Sequence, residues 1–446
     1  MGSKLISYCN LRVFLILLGM ITKDVLAQET DVKVAWLRQN AIPISLASFP
    51  DSQAIAYFDK VLADKQVILL GEQNHGDGTT FQLYSNVVKL LHSRYGFEAV
   101  VFESGFYDCR RAWKSISNNE DPLAAFNNSL FKVWAQSEQV QPLFDYIAQQ
   151  ANTSHPLEVS GFDCQFTGYY GRKLFLHEVD SLVQVLSPAY RASDEYRGFR
   201  IIAGWVTDYS YPPPYPSVKE RELFVQATEH ITDLLSALQP EEGLFWQQAI
   251  RNLIVQAKVT WSVQRLDKGE MTGREFNNIR DEQMADNVSW LLEGPYKGKK
   301  VILWANCSHT IKNTFTLVPK SGRDIFKGAN TMGDILFERY GERLYVIGTL
   351  SFQGQTGFAH YPQKTNVAPA PVGTWNYLFH LANQKAAFLD LNSQEVQNSW
   401  ISKPMNARLD ASIIFEADWT KVLDGVFFIH DMEPSRKAES SRGIEK

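Results

Sequence analysis

Two titratable side chains three residues apart, Glu72 and His75, stand among the glycines Gly71, Gly76 and Gly78, directly after the apolar run 67–70. An imidazole near its ordinary pKa takes a proton from water at neutral pH, and a carboxylate beside it fixes its tautomer and stabilises its charged form. The chemistry on offer is general-base activation of water. Glycines allow tight backbone close to a ligand, which favours this reading over a plain hydrogen-bonding turn histidine. Three further apolar runs finish similarly: 98–102 in Glu103, 157–162 in Asp163, and 300–304 in a segment holding Asn306 and His309. Ligands of open α/β sheets sit beyond the carboxyl ends of the parallel strands, so these side chains are expected to converge. Scattered polar caps are the bland alternative; the repetition of acids and histidines favours a site.

Residues 280–287 lie on an evident helix where Arg280, Gln283 and Asn287 share a face. One reading is a solvated face with Met284 and Leu291 packed inward. The other turns Arg280 into the site, to hold an anionic intermediate or pair with a carboxylate, with Asn287 beside the substrate. Other hydrolytic machinery is missing. Gly-x-Ser-x-Gly does not occur, so a serine nucleophile of the α/β-hydrolase type has no support. His177-Glu178 is not followed by a second histidine at zinc-protease spacing. Glu72, His75, Glu103, Asp163 and His309 are metal-ligand types, but their spacing fits no zinc signature, and neither a metal nor a cofactor is assigned.

The elements that must position these groups read as an α/β fold. The apolar spacing predicts helices over 52–63 and 79–93, so the order strand, glycine loop, helix opens a βαβ unit. The expected architecture is a mostly parallel sheet core flanked by helices. A large helical insertion, about 173–292, is expected to cover the strand carboxyl ends; it is interrupted by a loop over 209–217 that contains Pro212, Pro213 and Pro214. Late strands are expected over 343–350, 411–416 and 425–430, within a single domain spanning 28–435. A flexible charged tail, 436–446, follows.

At 446 residues, with 45% hydrophobic and 13% aromatic content, the chain is ample for a large core, and a net charge of −5 gives no sign of nucleic acid as partner. Lys4 and Arg12 precede a short apolar run, 13–21, and Val25-Leu26-Ala27 has the small-residue pattern of a signal-peptide cleavage site, which predicts export to the periplasm or medium after cleavage behind Ala27. The run is too short to span a bilayer, so no membrane span is expected in the mature chain. Beyond Cys9, the thiols are Cys109, Cys164 and Cys307. A Cys109–Cys164 disulfide and three buried free thiols are both open.

These residues carry a resemblance. Gly71-Glu72-x-x-His75-Gly76, the strand ending at Glu103, Gly161-x-Asp163, the Arg280-Asp281-x-x-Met284-Ala285-x-Asn287 helix and the 304–309 segment, in that order, resemble the erythromycin esterase family. The resemblance implies an α/β core and a hydrolytic cleft. His75 takes the place of the base that activates water against an ester or macrolactone carbonyl, with Glu72, Glu103 and His309 in support. Family members usually carry His-Asn-x-His where this chain has Asn306-Cys307-Ser308-His309, so one histidine of two remains. Asp163, Asn287 and Asn306 are expected on the substrate side. The expectation is an exported hydrolase of a small-molecule ester or lactone. The rival is a non-catalytic envelope protein binding haem or a glycan in the same cleft, motivated by Trp205, Tyr209, Tyr211 and Tyr215.

Overall fold

The computed structural model describes residues 28–47, 49–208, 214–321, 324–409 and 412–439. The expected signal peptide, residues 209–213 of the proline loop, Ala411 of a late strand and residues 440–446 of the tail lie outside the described residues.

In chain order the strands are β1 (Ile42–Pro43), β2 (Val67–Glu72), β3 (Ala99–Gly105), β4 (Glu158–Asp163), β5 (Val301–Asn306), β6 (Val318–Ser321), β7 (Leu344–Thr356), β8 (Thr365–Val367), β9 (Ala386–Asp390), β10 (Met405–Arg408), β11 (Ile414–Ala417) and β12 (Gly425–Met432). The main sheet runs β1-β9-β12-β7-β2-β5-β3-β4, with β8 paired to β7. All pairings from β12 through β7, β2, β5 and β3 to β4 are parallel, and β9 and β1 close one edge antiparallel. The expected run at 411–416 belongs to a separate antiparallel sheet, β10-β11-β6.

Every residue of β2 is buried, as a central parallel strand covered on both faces requires. The pleat sends alternate side chains to opposite faces. Leu69, Val101 and Leu303 enter one apolar core, while Leu70, Phe102 and Trp304 enter the other. The same period assigns the acids: Glu72 follows Leu70 onto the second face and Glu103 follows Val101 onto the first. The neighbouring ends of β2, β5, β3 and β4 deliver Glu72, Asn306, Glu103 and Asp163 to one rim.

Between β4 and β5 lie the inserted helices. Gly273–Glu293, which starts from a Thr272–Glu275 capping box, packs on β4; Pro240–Asp267 packs on it, and Val218–Leu235 and Asp194–Thr207 lie beyond. No helix among the described residues is long and apolar enough to cross a membrane. Cys109, Cys164 and Cys307 are buried thiols, none of them in a disulfide among the described residues, so the second of the two cysteine readings is the one found. Residues 436–438, expected in the flexible tail, are instead held to the body: Glu138 N–H donates to the Arg436 carbonyl (2.8 Å) and Ala438 N–H to that of Gln136 (2.9 Å).

Candidate active site

The loop after β2 holds His75. Gly71 is required by close approach: a Cβ there would stand 2.3 Å from the Thr310 hydroxyl, on the segment that carries His309. At Gly76 a Cβ would meet the Gly357 nitrogen at 2.6 Å. These glycines therefore admit neighbouring protein rather than ligand, contrary to the expectation from sequence. The loop is also laced to the end of the chain. Ser435 N–H donates to the Gly76 carbonyl (3.0 Å), Gly78 N–H to that of Glu433 (2.9 Å), and Gly357 N–H to that of Gly76 (3.1 Å). Asp77 caps the following helix, Gly78–Tyr95, and burial raises its carboxyl to about 6.

Within this frame Glu72 Oε1 bonds His75 Nδ1. Glu72 is fully buried, and its other oxygen accepts indole N–H bonds from Trp304 (2.7 Å) and Trp134 (3.2 Å). Trp134 also meets the His75 ring edge-on at 5.4 Å. A carboxylate held on both oxygens fixes the imidazole, while 30% of the His75 side chain stays open at the rim. Burial works against charge on the ring. The hydrogen bond and charge of Glu72, with the charge of Glu103, outweigh it against Arg280 and hold the histidine above its ordinary range.

Across the sheet end lies the half built around Arg280. Arg280 Nε and Nη2 fork onto Asp163 (3.1 and 2.7 Å), Nη2 also reaches Glu103 Oε1 (2.7 Å), and Nη1 meets His309 Nε2 at 3.2 Å. Guanidinium groups only donate, so this contact requires a lone pair on His309 Nε2 and puts the proton on Nδ1, which donates to Asp281 Oδ1 at 2.6 Å. Asp281 also accepts the Met332 N–H (3.1 Å). Burial opposes charge on His309, yet Asp281 and Glu103 raise its pKa. A second proton at Nε2 would face Glu103 Oε1, 3.4 Å away. Burial opposes ionisation of Glu103 as well, but the charges of His309, Arg280 and His75 and the Asn306 N–H (3.0 Å) bring it down to about 2. The site thus pairs a carboxylate-held imidazole with a second imidazole whose protonation is coupled to an arginine and two acids.

The family model described as erythromycin esterase matches residues 92–432. The chain belongs to the erythromycin esterase family. It is 26% identical over 419 residues to the putative hydrolase YbfO of Bacillus subtilis, covering 90% of this chain and 91% of the relative. Erythromycin esterase type II of Escherichia coli is 21% identical over 424 residues, covering 88% and 96%. A crystal structure of a Bacillus cereus protein superposes with a TM-score of 0.72 at 18% identity, covering 92% and 99%, a likeness of fold. Membership in this family points to a hydrolase.

Of the site residues expected in this esterase-family chain, Glu72, His75, Glu103, Asp163, Arg280, Asn306 and His309 gather at the rim. Arg280 takes the carboxylate-pairing role of its two readings, and Asp163 is fully buried as its partner. Asn306 caps the Ser308 N–H (2.9 Å). Asn287 lies two turns below, fully buried. Its amide N–H groups go to the Phe162 carbonyl (2.8 Å) and Asn252 (2.7 Å), and its oxygen accepts from Gln248 (2.7 Å) and Gln283 (3.0 Å). It has no surface left for substrate, and instead anchors the helix that aims Arg280. Sequence reasoning gave no role to Trp134, Trp304 or Asp281, although Asp281, next to Arg280, and Trp304, at the head of the 304–309 segment, stand inside the motifs that carry the resemblance. Among the described residues no group of three or more His, Cys, Asp or Glu is arranged to hold a metal ion.

Proposed function

We propose that this chain is an exported hydrolase that cleaves esters or lactones by water attack, with His75 as general base and no serine nucleophile. The observation that carries the reading is the imidazole of His75, held at Nδ1 by a buried carboxylate and open at the rim. Nε2 takes a proton from water as its oxygen bonds to the carbonyl carbon. The oxyanion so formed faces Arg280, whose Nη1–H not given to His309 is the available donor. Collapse breaks the ester C–O bond, and the leaving alkoxide receives the proton from the imidazolium of His75, which restores the base. Glu103 and Asp163 keep Arg280 in place and charged.

The test is hydrolysis of a panel of esters, lactones and acylated glycans by wild type and His75→Ala. Loss of activity by two orders of magnitude or more is expected. Turnover near the wild-type rate would remove His75 as the base. Export is checked by mass spectrometry of the mature chain, where an N-terminus at Gln28 is expected. The binding-protein alternative gains nothing from Tyr215, whose ring lies under Arg221 at 4.8 Å and whose hydroxyl accepts from it at 3.1 Å.

A further inference from the structure

A cavity of 530 Å³ opens at the opposite end of the sheet from the rim. It is bounded by Lys65 just before β2, Leu344 and Tyr345 at the start of β7, and Asp424 just before β12. Six residues of β2 at about 3.3 Å each put its Lys65 end roughly 20 Å from Glu72, while Lys312 on its inner wall follows His309 by three residues. Its size is that of a small-molecule site, and none of Glu72, His75, Glu103, Arg280 and His309 lines it.

The walls are polar and rich in donors. Lys312 is buried on the inner wall, its side chain 8% exposed, with Nζ donating to Asp424 Oδ1 at 2.7 Å and lying over the Phe337 ring at 4.7 Å. That carboxylate is already shared: Asn392 donates to Oδ1 (3.0 Å) and the Val346 N–H to Oδ2 (2.9 Å). An ammonium has three N–H bonds, and a buried one left without acceptors is costly, so the remaining two call for an acceptor from the cavity. Lys65 and Lys421 stand at the mouth. Their acids, Asp64 at 3.5 Å and Asp418 at 3.4 Å, are loose partners, and exposed pairs of this kind contribute little. The lining itself carries three lysines against Asp424 and Glu342, a surplus of one positive charge. Asn313 and Gln397 donate amide N–H groups to the Lys421 (2.7 Å) and Leu391 (2.8 Å) carbonyls and Thr420 its hydroxyl to Asp418 (2.6 Å), leaving the two amide oxygens as acceptors for ligand hydroxyls.

We propose that this cavity is a second binding site, for a hydroxylated small molecule bearing one phosphate or carboxylate, of hexose-phosphate size. The oxyanion sits between Lys65 and Lys421 at the mouth, and hydroxyl oxygens accept from Lys312 inside. The inference does not depend on the proposed hydrolysis.

The experiment is calorimetric titration of the purified full chain with glucose 6-phosphate and with glucuronate, using glucose and inorganic phosphate as controls. The two anionic sugars distinguish phosphate from carboxylate as the preferred group. Saturable binding of at least one of them is expected, at least tenfold tighter than glucose or phosphate alone. Lys65→Ala/Lys421→Ala, changes at one half-buried and one exposed side chain outside the core, is expected to weaken it at least tenfold, with an unchanged circular dichroism spectrum and melting temperature. Lys312→Met is expected to abolish it. His75→Ala, at the far end of the sheet, is expected to bind as wild type does. The proposal is overturned if neither anionic sugar binds at millimolar concentration, if glucose binds as well as they do, or if affinity survives loss of both mouth lysines. Binding lost in His75→Ala would place the ligand in the catalytic cleft and refute it as well.

Discussion

Trp304→Phe is the substitution that best isolates how the buried carboxylate tunes the base. The ring stacks on Phe102 at 5.5 Å, and phenylalanine preserves most of that packing while deleting the 2.7 Å N–H bond to Glu72 Oε2. A hydrogen bond to a charged group contributes about 1.5–3 kcal/mol. Glu72 has no water to replace it, and keeps only the longer bond from Trp134 on that oxygen. Its charge is then compensated chiefly by His75, so the protonated imidazole gains stability. If about 1.4 kcal/mol of the loss is passed on, the His75 pKa rises by about one unit. In the proposed role His75 acts deprotonated, so the acid limb of kcat/KM moves up by the same amount. At pH below that limb the rate falls about tenfold, while the plateau changes little. The pKa is measured directly by NMR titration of the His75 ring, which needs no substrate, and urea unfolding gives the stability cost. A lower folding stability with an unmoved His75 titration would refute the reasoning, because it would make Trp304 a packing residue only. Trp134→Phe, which removes the longer bond, is expected to shift the titration in the same direction by less.

Glu72→Gln removes the largest influences that raise His75, leaving burial to push its pKa below the ordinary value; the acid limb moves to lower pH, and misplacement of the ring lowers kcat by about 10²–10⁴-fold, both read from a pH–rate profile. Asp108 is fully buried, with Oδ2 lacking a hydrogen bond and its carboxyl raised by burial to about 8. Between its ordinary value near 3.8 and that pKa the folded chain holds a proton that the unfolded chain has released, so this group's contribution to stability falls as pH rises through the window. Asp108→Asn is therefore expected to flatten the decline in urea stability from pH 5 to 8, by up to a few kcal/mol, on the order of 1.4 kcal/mol per unit; identical slopes in both proteins would refute it. Asn287→Leu strands the amides of Gln248, Asn252 and Gln283 and the Phe162 carbonyl, at a cost of about 2–4 kcal/mol in unfolding free energy, and lowers kcat more than it changes KM because Arg280 loses its support.

What the sequence disclosed follows from how local each signal is. The run 67–70 ending in Glu72, and the parallel runs ending in Glu103 and Asp163, are readable because burial on both faces demands continuous apolar residues and the pleat then forces a change of character at the rim. Convergence of those ends followed from topology alone. The indole bonds to Glu72 join residues 62 and 232 positions apart, and nothing in either segment marks them. Asn287 misled for another reason: a shared helical face says nothing about depth, and one end of that face reaches the rim while the other is sealed against β4. The glycines misled because absence of a side chain serves a neighbouring backbone as well as a ligand. The antiparallel edge formed by β9 and β1 is short and was passed over.

The hydrogen bonds that join Glu433 and Ser435 to the loop of His75 have a consequence for biosynthesis. A ribosome makes that loop long before the residues that brace it. β2 also waits for β5 and β7 on its two sides. A nascent chain can hold much of its helical layer and still lack a set loop, so the geometry at His75 is fixed only after Ser435 has emerged, and truncation ahead of Glu433 would be felt at a loop made hundreds of residues earlier.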